Sequence, residues 1–272
     1  MRKLLALLIA LPLMASAATE RLGALGGDIT EIISALGAGD NLVARDSTSL
    51  APPQAKALPD VGYLRQLNAE GILAMRPDRV LASDQAQPSL ALQQIERSGV
   101  VVTTIPARND IDVIDSKIRL VAEATGKQAA GETLRQKVRD ELAALPATPL
   151  NKRVLFILSH SGMNAMAAGQ QTGADAAIRA AGLQNAIQGV NRYQPLSQEG
   201  IIASRPDLVV ISEEGVKAMG GEASLWALPG LAQTPAGRNK QVLLVDDMAL
   251  LGFSVRTPEA LRQLRDRAEQ LP

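Results

Sequence analysis

Cysteine is absent from the 272-residue chain, and aromatic residues make up only 2% of it. Without cysteine there can be no disulfide, no thiolate metal centre and no cysteine-linked lipid anchor. The chain also holds a single histidine, His160. One histidine cannot provide the several imidazoles of a typical zinc or manganese site. The few tyrosines and this histidine can therefore be weighed individually as binding residues.

The first residues are typical of a cleavable export signal. Two cations precede an almost unbroken apolar run, Leu4 to Met14, and the small residues 15–17 follow it. The run is shorter than the ~20 residues that a membrane-spanning helix needs. We therefore predict cleavage after Ala17 or Ala18 and secretion into the periplasm.

The charge balance argues against several kinds of partner. Loss of residues 1–17 takes the 28 basic side chains to 26, against 28 acidic ones, which leaves a formal charge of −2. A chain with this balance is not expected to bind nucleic acid or to hold a membrane through a polybasic patch. About 255 mature residues are enough for two modest domains with their own cores.

An internal duplication organises the chain. Residues 67–80 and 196–209 share the pattern L-x-x-E-G-I-x-A-x-R-P-D-x-V at a constant offset of 129 residues. Each copy predicts a short helix that ends before the proline and leads into a buried strand, at 79–82 and 208–211. The sequence therefore predicts two similar lobes.

Strands alternate with helices in both halves of the chain. We predict strands at 100–105, 153–158 and 241–245, and helices at 91–98 and 175–181. This alternation indicates an α/β fold with two Rossmann-like lobes and parallel sheets.

One long helix is predicted between the lobes. Residues 128–145 mix Ala, Leu, Glu, Lys and Arg without proline, and Pro146 ends the segment. The predicted boundaries are a signal peptide at 1–17, an N-terminal lobe at 18–126, an interlobe helix at 127–146 and a C-terminal lobe at 147–272.

This organisation resembles a known family. Two α/β lobes joined by one long helix, with E-G-I-x-A-x-R-P-D-x-V in both, are similar to the substrate-binding proteins of siderophore, cobalamin and haem importers, over essentially the whole mature chain. The segments RDSTS at 45–49, GYLR at 62–65 and LSH at 158–160 resemble the haem-binding branch. Members of that branch hold ferric haem between the lobes with a tyrosine, and some add a histidine from the second lobe. The resemblance implies that Tyr63 and His160 are iron ligands.

The chemistry of these residues suits that role. A phenolate is a hard anionic donor for ferric iron, and tyrosine is a known haem ligand. In an extended segment, residues i and i+2 point the same way, so Arg65 is predicted beside the phenolate oxygen of Tyr63. His160 follows a buried strand directly, where a parallel sheet presents its binding loops. Two alternatives stay open: Tyr63 packs at a lobe edge, or His160 bonds locally to a neighbouring serine.

Other residues are candidates for the walls of a haem site. Arginines pair well with propionate carboxylates, and methionine packs adaptably on a flat macrocycle. The candidates are Arg45, Arg192 and Arg256 for the propionates, Met163 for packing and Tyr193 for a second aromatic wall.

Two glutamates occupy equivalent places in the duplication. The resemblance implies that Glu70 and Glu199 dock onto arginines of a two-fold ABC-importer permease, one glutamate per half. The alternative is that each is a polar position on an amphipathic helix.

Other functions fit the residues less well. A siderophore or corrinoid carrier of the same fold is the runner-up, although one tryptophan and two tyrosines are few for such ligands. A serine hydrolase could draw on Ser159, Ser161 and His160, but adjacent residues seldom pair in this way and no G-x-S-x-G motif occurs. Together with these residues, the resemblance therefore implies a monomeric periplasmic carrier of haem b, not an enzyme.

Overall fold

The computed structural model describes residues 19–160 and 163–272. The predicted export signal and Ser161 lie outside this part of the chain. Among the residues that are described, no helix is both long and apolar enough to cross a bilayer.

The N-terminal lobe is a parallel four-stranded sheet in the order β2-β1-β3-β4, with helices on its faces. Its strands are β1 (Leu22–Leu25), β2 (Leu42–Arg45), β3 (Arg79–Ser83) and β4 (Val101–Ile105), and its helices are α1 (Gly27–Ala35), α2 (Ala69–Ala74) and α3 (Ser89–Arg97). Short 3-10 turns cover Gly39–Asn41 and Pro53–Ala57.

Two helices lead from the first lobe to the second. α4 spans Val113–Ala124, and α5 spans Gln128–Ala143, two residues shorter at its end than the predicted interlobe helix. They pack antiparallel, and Asp115 of α4 accepts hydrogen bonds from Arg135 at 2.8 Å and Arg139 at 3.1 Å on α5. Because α5 also packs against the C-terminal helix of the chain, it connects both lobes.

The C-terminal lobe has a mixed sheet. Its strands are β5 (Arg153–Leu158), β6 (Met166–Ala168), β7 (Gln184–Asn185), β8 (Tyr193–Pro195), β9 (Leu208–Ser212) and β10 (Val242–Val245). Its helices are α6 (Gly173–Ala180), α7 (Gln198–Ser204), α8 (Glu213–Ala218), α9 (Glu222–Trp226), α10 (Pro235–Arg238), α11 (Asp247–Leu251) and α12 (Thr257–Glu269), with a 3-10 turn at Leu231–Gln233. β6 pairs antiparallel with β5 and β8, so the parallel sheet expected from the sequence is extended by two antiparallel strands.

The duplication is visible in the backbone of both lobes. The parallel strands β7, β5, β9 and β10 repeat the order β2, β1, β3 and β4. The carboxylate of Asp78 accepts the amide of Arg21 at 2.8 Å, and that of Asp207 accepts the amide of Arg153 at 2.7 Å. Each contact joins the start of the second duplicated strand to the start of the first. The repeated R-P-D segment therefore has the same structural role in each lobe.

The two lobes share one continuous apolar core. Ile29 and Ile33 of α1 belong to the same buried cluster as Phe156 of β5 and Leu261 of α12. The outer face of each sheet has a separate, smaller core. A shared core of this kind favours small movements of one lobe against the other, since densely packed apolar surfaces resist sliding.

Candidate functional site

A cleft of about 540 Å³ lies between the lobes, and residues from both of them line it. It opens where the parallel strands end, since Ser83 closes β3 on one side and Leu158 closes β5 on the other. The carboxyl ends of parallel strands are where α/β proteins usually bind ligands. The cleft is thus the natural place for a cargo.

Tyr63 enters this cleft from the first lobe. Its ring is 40% exposed, which is unusual for a large aromatic side chain. Gly62 has a φ of 98°, a backbone conformation that favours glycine, and it turns the chain just before the tyrosine. Gln87 then fixes the loop, because its amide donates to the carbonyl of Leu64 and its carbonyl accepts the amide of Leu67, both at 2.8 Å. The phenol is thus presented to the cleft by a well-bonded loop.

Arg65 lies in the same cleft, but not in the predicted manner. Residues 64 and 65 form a turn rather than an extended segment, so the i, i+2 argument for Arg65 beside Tyr63 is wrong. The guanidinium instead donates to the side-chain carbonyl of Gln85. Burial raises the pKa of Tyr193 on the opposite lobe, and the positive charge of Arg65 acts against that rise. Arg65 therefore contributes a cation that reaches towards the second wall of the cleft.

His160 enters the cleft from the second lobe, two residues after β5 ends. The imidazole is exposed, whereas Ser159 before it is buried. Asp247 lies close enough for the charge of His160 to act on it. Burial raises the pKa of Asp247, and a hydrogen bond with Ser212 and the His160 charge oppose that rise.

Tyr193, the candidate for a second aromatic wall, also lines the cleft. Burial, and then the negative charge of Asp247, raise its pKa to about 12. At neutral pH this phenol keeps its proton and can act as a hydrogen-bond donor. The two tyrosines thus differ in environment: Tyr63 is exposed, and Tyr193 is partly buried near a carboxylate.

The predicted arginines separate into two groups. Arg192 lines the cleft, whereas Arg45 and Arg256 are not among the described residues that do so. Arg45 donates to Asp60 at 3.1 Å, and Arg256 is held by Glu31 and by Asp246 at 2.9 Å. Because their guanidinium groups are bonded to protein carboxylates, the structure gives no support to their assignment to propionates.

Several lining residues were missed by sequence reasoning. Arg108 follows β4 and adds a cation that pairs with Asp110 at 2.8 Å. Met248 lines the cleft with Leu251 and Phe253, whereas Met163 is not among the described lining residues. The predicted methionine wall is therefore supplied by α11, not by the loop after His160. No signal in the sequence distinguishes these residues, because each reaches the cleft through a non-local contact.

The floor of the cleft holds a buried ion pair. Lys117 of α4 donates to Asp28 of α1 at 2.5 Å and to the carbonyl of Gly252 at 2.7 Å. Only 2% of the lysine side chain and 9% of the aspartate side chain are exposed. Since Gly252 belongs to the second lobe, this lysine ties the lobes together beneath the cargo site.

Glu70 and Glu199 occupy matching exposed positions. Each is the second residue of its helix, α2 or α7, and the residue before each helix caps it. Asn68 accepts the amide of Glu70 at 2.9 Å, and Ser197 accepts the amide of Gly200 at 3.1 Å. Capping needs neither glutamate side chain, so both carboxylates are available at the surface of their lobe.

Metal centres made of several protein ligands are not evident in residues 19–160 and 163–272. No group of three or more histidine or carboxylate side chains there could hold a metal ion.

Proteins that resemble this chain in fold or sequence include binding proteins for heme and for vitamin B12. The heme-binding protein RhuT from Roseiflexus sp. RS-1, in its apo form, is 39% identical, with a TM-score of 0.87 over 92% of this chain and 100% of that chain. The heme-binding protein BhuT in complex with two hemes is 43% identical, with a TM-score of 0.84 over 92% and 97%. A vitamin B12-binding protein of Vibrio vulnificus (strain CMCP6) is 27% identical over 253 residues, 92% of this chain and 90% of that protein.

The family assignment rests on most of the chain. The family described as periplasmic binding protein matches residues 23–249, from the first strand to the helix after the last one. The matched region contains both lobes and the cleft, and the solved relatives share the same two-lobed fold. The chain belongs to the periplasmic binding protein family.

Proposed function

We propose that this protein is exported to the periplasm, binds ferric haem b in the interlobe cleft as a monomer and delivers it to an ABC-importer permease. One observation carries the proposal: Tyr63 from one lobe and the only histidine from the other line the same cleft. A phenolate and an imidazole are both haem ligands, and two lobes can offer one to each face of the macrocycle. The heme-binding relatives support the same cargo.

The remaining lining residues suit both the apolar macrocycle and the charged propionates of haem. Met248, Leu251 and Phe253 offer apolar contact to the macrocycle. Arg65 and Arg192 place two cations at the cleft that pair with no carboxylate of the described residues, and arginine pairs with carboxylates such as the propionates. Corrinoids carry neutral amides on most of their periphery, so this set of cations favours haem over the vitamin B12 that more distant relatives bind.

Hydrolysis is not the function that the site favours. Ser159 is only 3% exposed, so its hydroxyl is poorly placed to attack a substrate in the cleft. Ser161 lies outside the described residues. The relatives reported above are binding proteins by name, which supports a carrier.

A hemin titration of the purified protein tests the cargo. We expect a saturable change in the visible spectrum with the charge-transfer absorption of a tyrosinate bound to ferric iron. Cyanocobalamin at the same concentration is expected neither to bind nor to compete. Tight cyanocobalamin binding with no change on adding hemin would instead assign the cleft to corrinoids.

Docking onto the permease is proposed to use Glu70 and Glu199. Their positions are related by the duplication, both side chains are exposed, and neither is needed to cap its helix. Two equivalent carboxylates on a two-lobed carrier complement a two-fold permease with one basic site on each half.

Reversing both docking charges is expected to abolish transport without changing cargo binding. In the Glu70→Lys/Glu199→Lys variant, hemin-dependent stimulation of the cognate transporter's ATPase in proteoliposomes should fall at least tenfold, because like charges then face each other. The matched control reverses Glu96 and Glu141, which are also exposed and change the net charge equally. An equal loss in both double variants would show a general charge effect and exclude specific docking.

A further inference from the structure

Asp247 is a half-buried carboxylate that hydrogen-bonds with Ser212 but does not cap its own helix. It is the first residue of α11, but the cap of that helix is Asp246, whose Oδ1 accepts the amides of Met248 at 2.9 Å and Ala249 at 3.2 Å. Asp246 also pairs with Arg256. Asp247 Oδ1, in contrast, is buried and has no hydrogen-bond partner among residues 19–160 and 163–272. A buried polar atom without a partner is unfavourable, so its retention calls for an explanation.

Strand register brings Asp247 and His160 to the same edge of the sheet. Ile157 of β5 pairs with Ile211 of β9, and Ile211 pairs with Leu244 of β10. His160 and Asp247 each lie three residues beyond this row, at the same carboxyl edge of the sheet. Met248, the next residue along the chain, lines the cleft together with His160 and Tyr193, and Asp247 is near enough to both for their charges to interact.

The carboxylate can complete its hydrogen bonding through the histidine. A neutral imidazole that binds iron through one nitrogen has an N–H on the other, and in metal sites that N–H is usually donated to a carboxylate or carbonyl. His160 is exposed and follows its strand by two residues, so its ring can turn between the cleft and Asp247. The partner that Asp247 Oδ1 lacks is thus the group that a ligating His160 would offer.

We propose that Asp247 is a positioning residue for His160. Its carboxylate accepts the N–H of the imidazole nitrogen that does not bind iron, which fixes the ring tautomer and orientation and makes the other nitrogen a stronger donor. This inference rests on the proposed function, because it requires haem in the cleft. It adds a role for a residue whose own side chain need not touch the cargo.

The test compares Asp247→Asn, which keeps the size of the side chain, with the wild type. Loss of an outer-sphere partner typically weakens metal binding 10–100-fold, so we expect the dissociation constant for hemin to rise about tenfold. In dithionite-reduced samples, resonance Raman spectra should show the iron–imidazole stretching band at a lower frequency in the variant. Asp247→Glu is expected to recover part of the wild-type frequency. Glu213→Gln removes another carboxylate from the same sheet edge, in an exposed position, and should change neither value.

A His160→Ala background separates positioning from packing. There, Asp247→Asn should have no further effect on hemin affinity, because the partner through which it acts is gone. An equal loss in both backgrounds, an unchanged band in Asp247→Asn, or no iron–imidazole band in the wild type would each overturn this inference while leaving haem binding intact. Failure of the wild type to bind hemin would overturn the proposed function itself. Thermal unfolding of each variant shows that it is folded before it is compared.

Discussion

Replacing Tyr63 with phenylalanine is expected to raise the dissociation constant for hemin by at least a factor of about 100. The substitution removes one oxygen and keeps the ring, so packing at the cleft edge is preserved. Loss of an outer-sphere partner alone costs metal sites 10–100-fold, and removal of a direct anionic ligand should cost more. The charge-transfer absorption of the tyrosinate should disappear as well. Hemin titration followed by visible absorption measures both effects.

Tyr193 provides the matched control for this experiment. It lines the same cleft, but its pKa is raised to about 12 by burial and by Asp247, so it is a neutral donor rather than a phenolate at pH 7. Tyr193→Phe should therefore keep the charge-transfer absorption and weaken hemin binding by less than about tenfold, the loss of one hydrogen bond. If Tyr193→Phe loses the absorption and Tyr63→Phe retains it, the iron ligand has been assigned to the wrong tyrosine.

His160→Ala helps to interpret the result at Tyr63. An imidazole from the second lobe would remain as a ligand when the phenolate is lost, so residual binding in Tyr63→Phe should vanish in the double variant. Equal, unperturbed spectra in both single variants would remove the proposed cleft chemistry, although the family and the fold would stand.

Local patterns were enough to predict the repeated part of the fold. The strand at 153–158 has the predicted bounds, and the two R-P-D segments lead into β3 and β9 as expected. These elements follow from short-range signals: an apolar run of strand length, or a proline that ends a helix. The strands β6 and β8 have three residues each. They are strands only because β6 pairs with β5 and with β8. A pattern within three residues cannot reveal that pairing.

The difference between short-range signals and long-range contacts also explains which site residues could be predicted. Tyr63 and His160 reach the cleft because each follows a turn or strand that the sequence shows, whereas their role as ligands stays a prediction. Arg256, in contrast, is bonded to Glu31, 225 residues away in the sequence. Lys117 is bonded to Asp28 and to the carbonyl of Gly252, which are also distant in the sequence. The sequence around an arginine does not show whether a distant carboxylate pairs with it in the folded protein. Charge partners across lobes must be read from the folded structure.

Lys117→Met is expected to lower the free energy of unfolding by about 3–5 kcal/mol, because it leaves a buried charge without its partner. Methionine keeps most of the length and apolar volume of the lysine stem, so the loss falls on the two hydrogen bonds of Nζ. Asp28 would lose a 2.5 Å contact with an ammonium group, and the carbonyl of Gly252 a 2.7 Å one. Urea unfolding followed by far-UV circular dichroism measures this change.

Two further variants show whether the effect comes from the buried pair. Lys137 lies on α5 with 67% of its side chain exposed and pairs with Glu141 at 3.8 Å, so Lys137→Met should cost less than about 1 kcal/mol. Asp28→Asn in the Lys117→Met background removes the stranded charge, so the double variant should be more stable than Lys117→Met alone. Lys117 joins α4 to both α1 and the second lobe, which also predicts that its loss loosens the cleft floor. A cost under 1 kcal/mol for Lys117→Met, equal to that of Lys137→Met, would mean that the shared apolar core alone holds the lobes together.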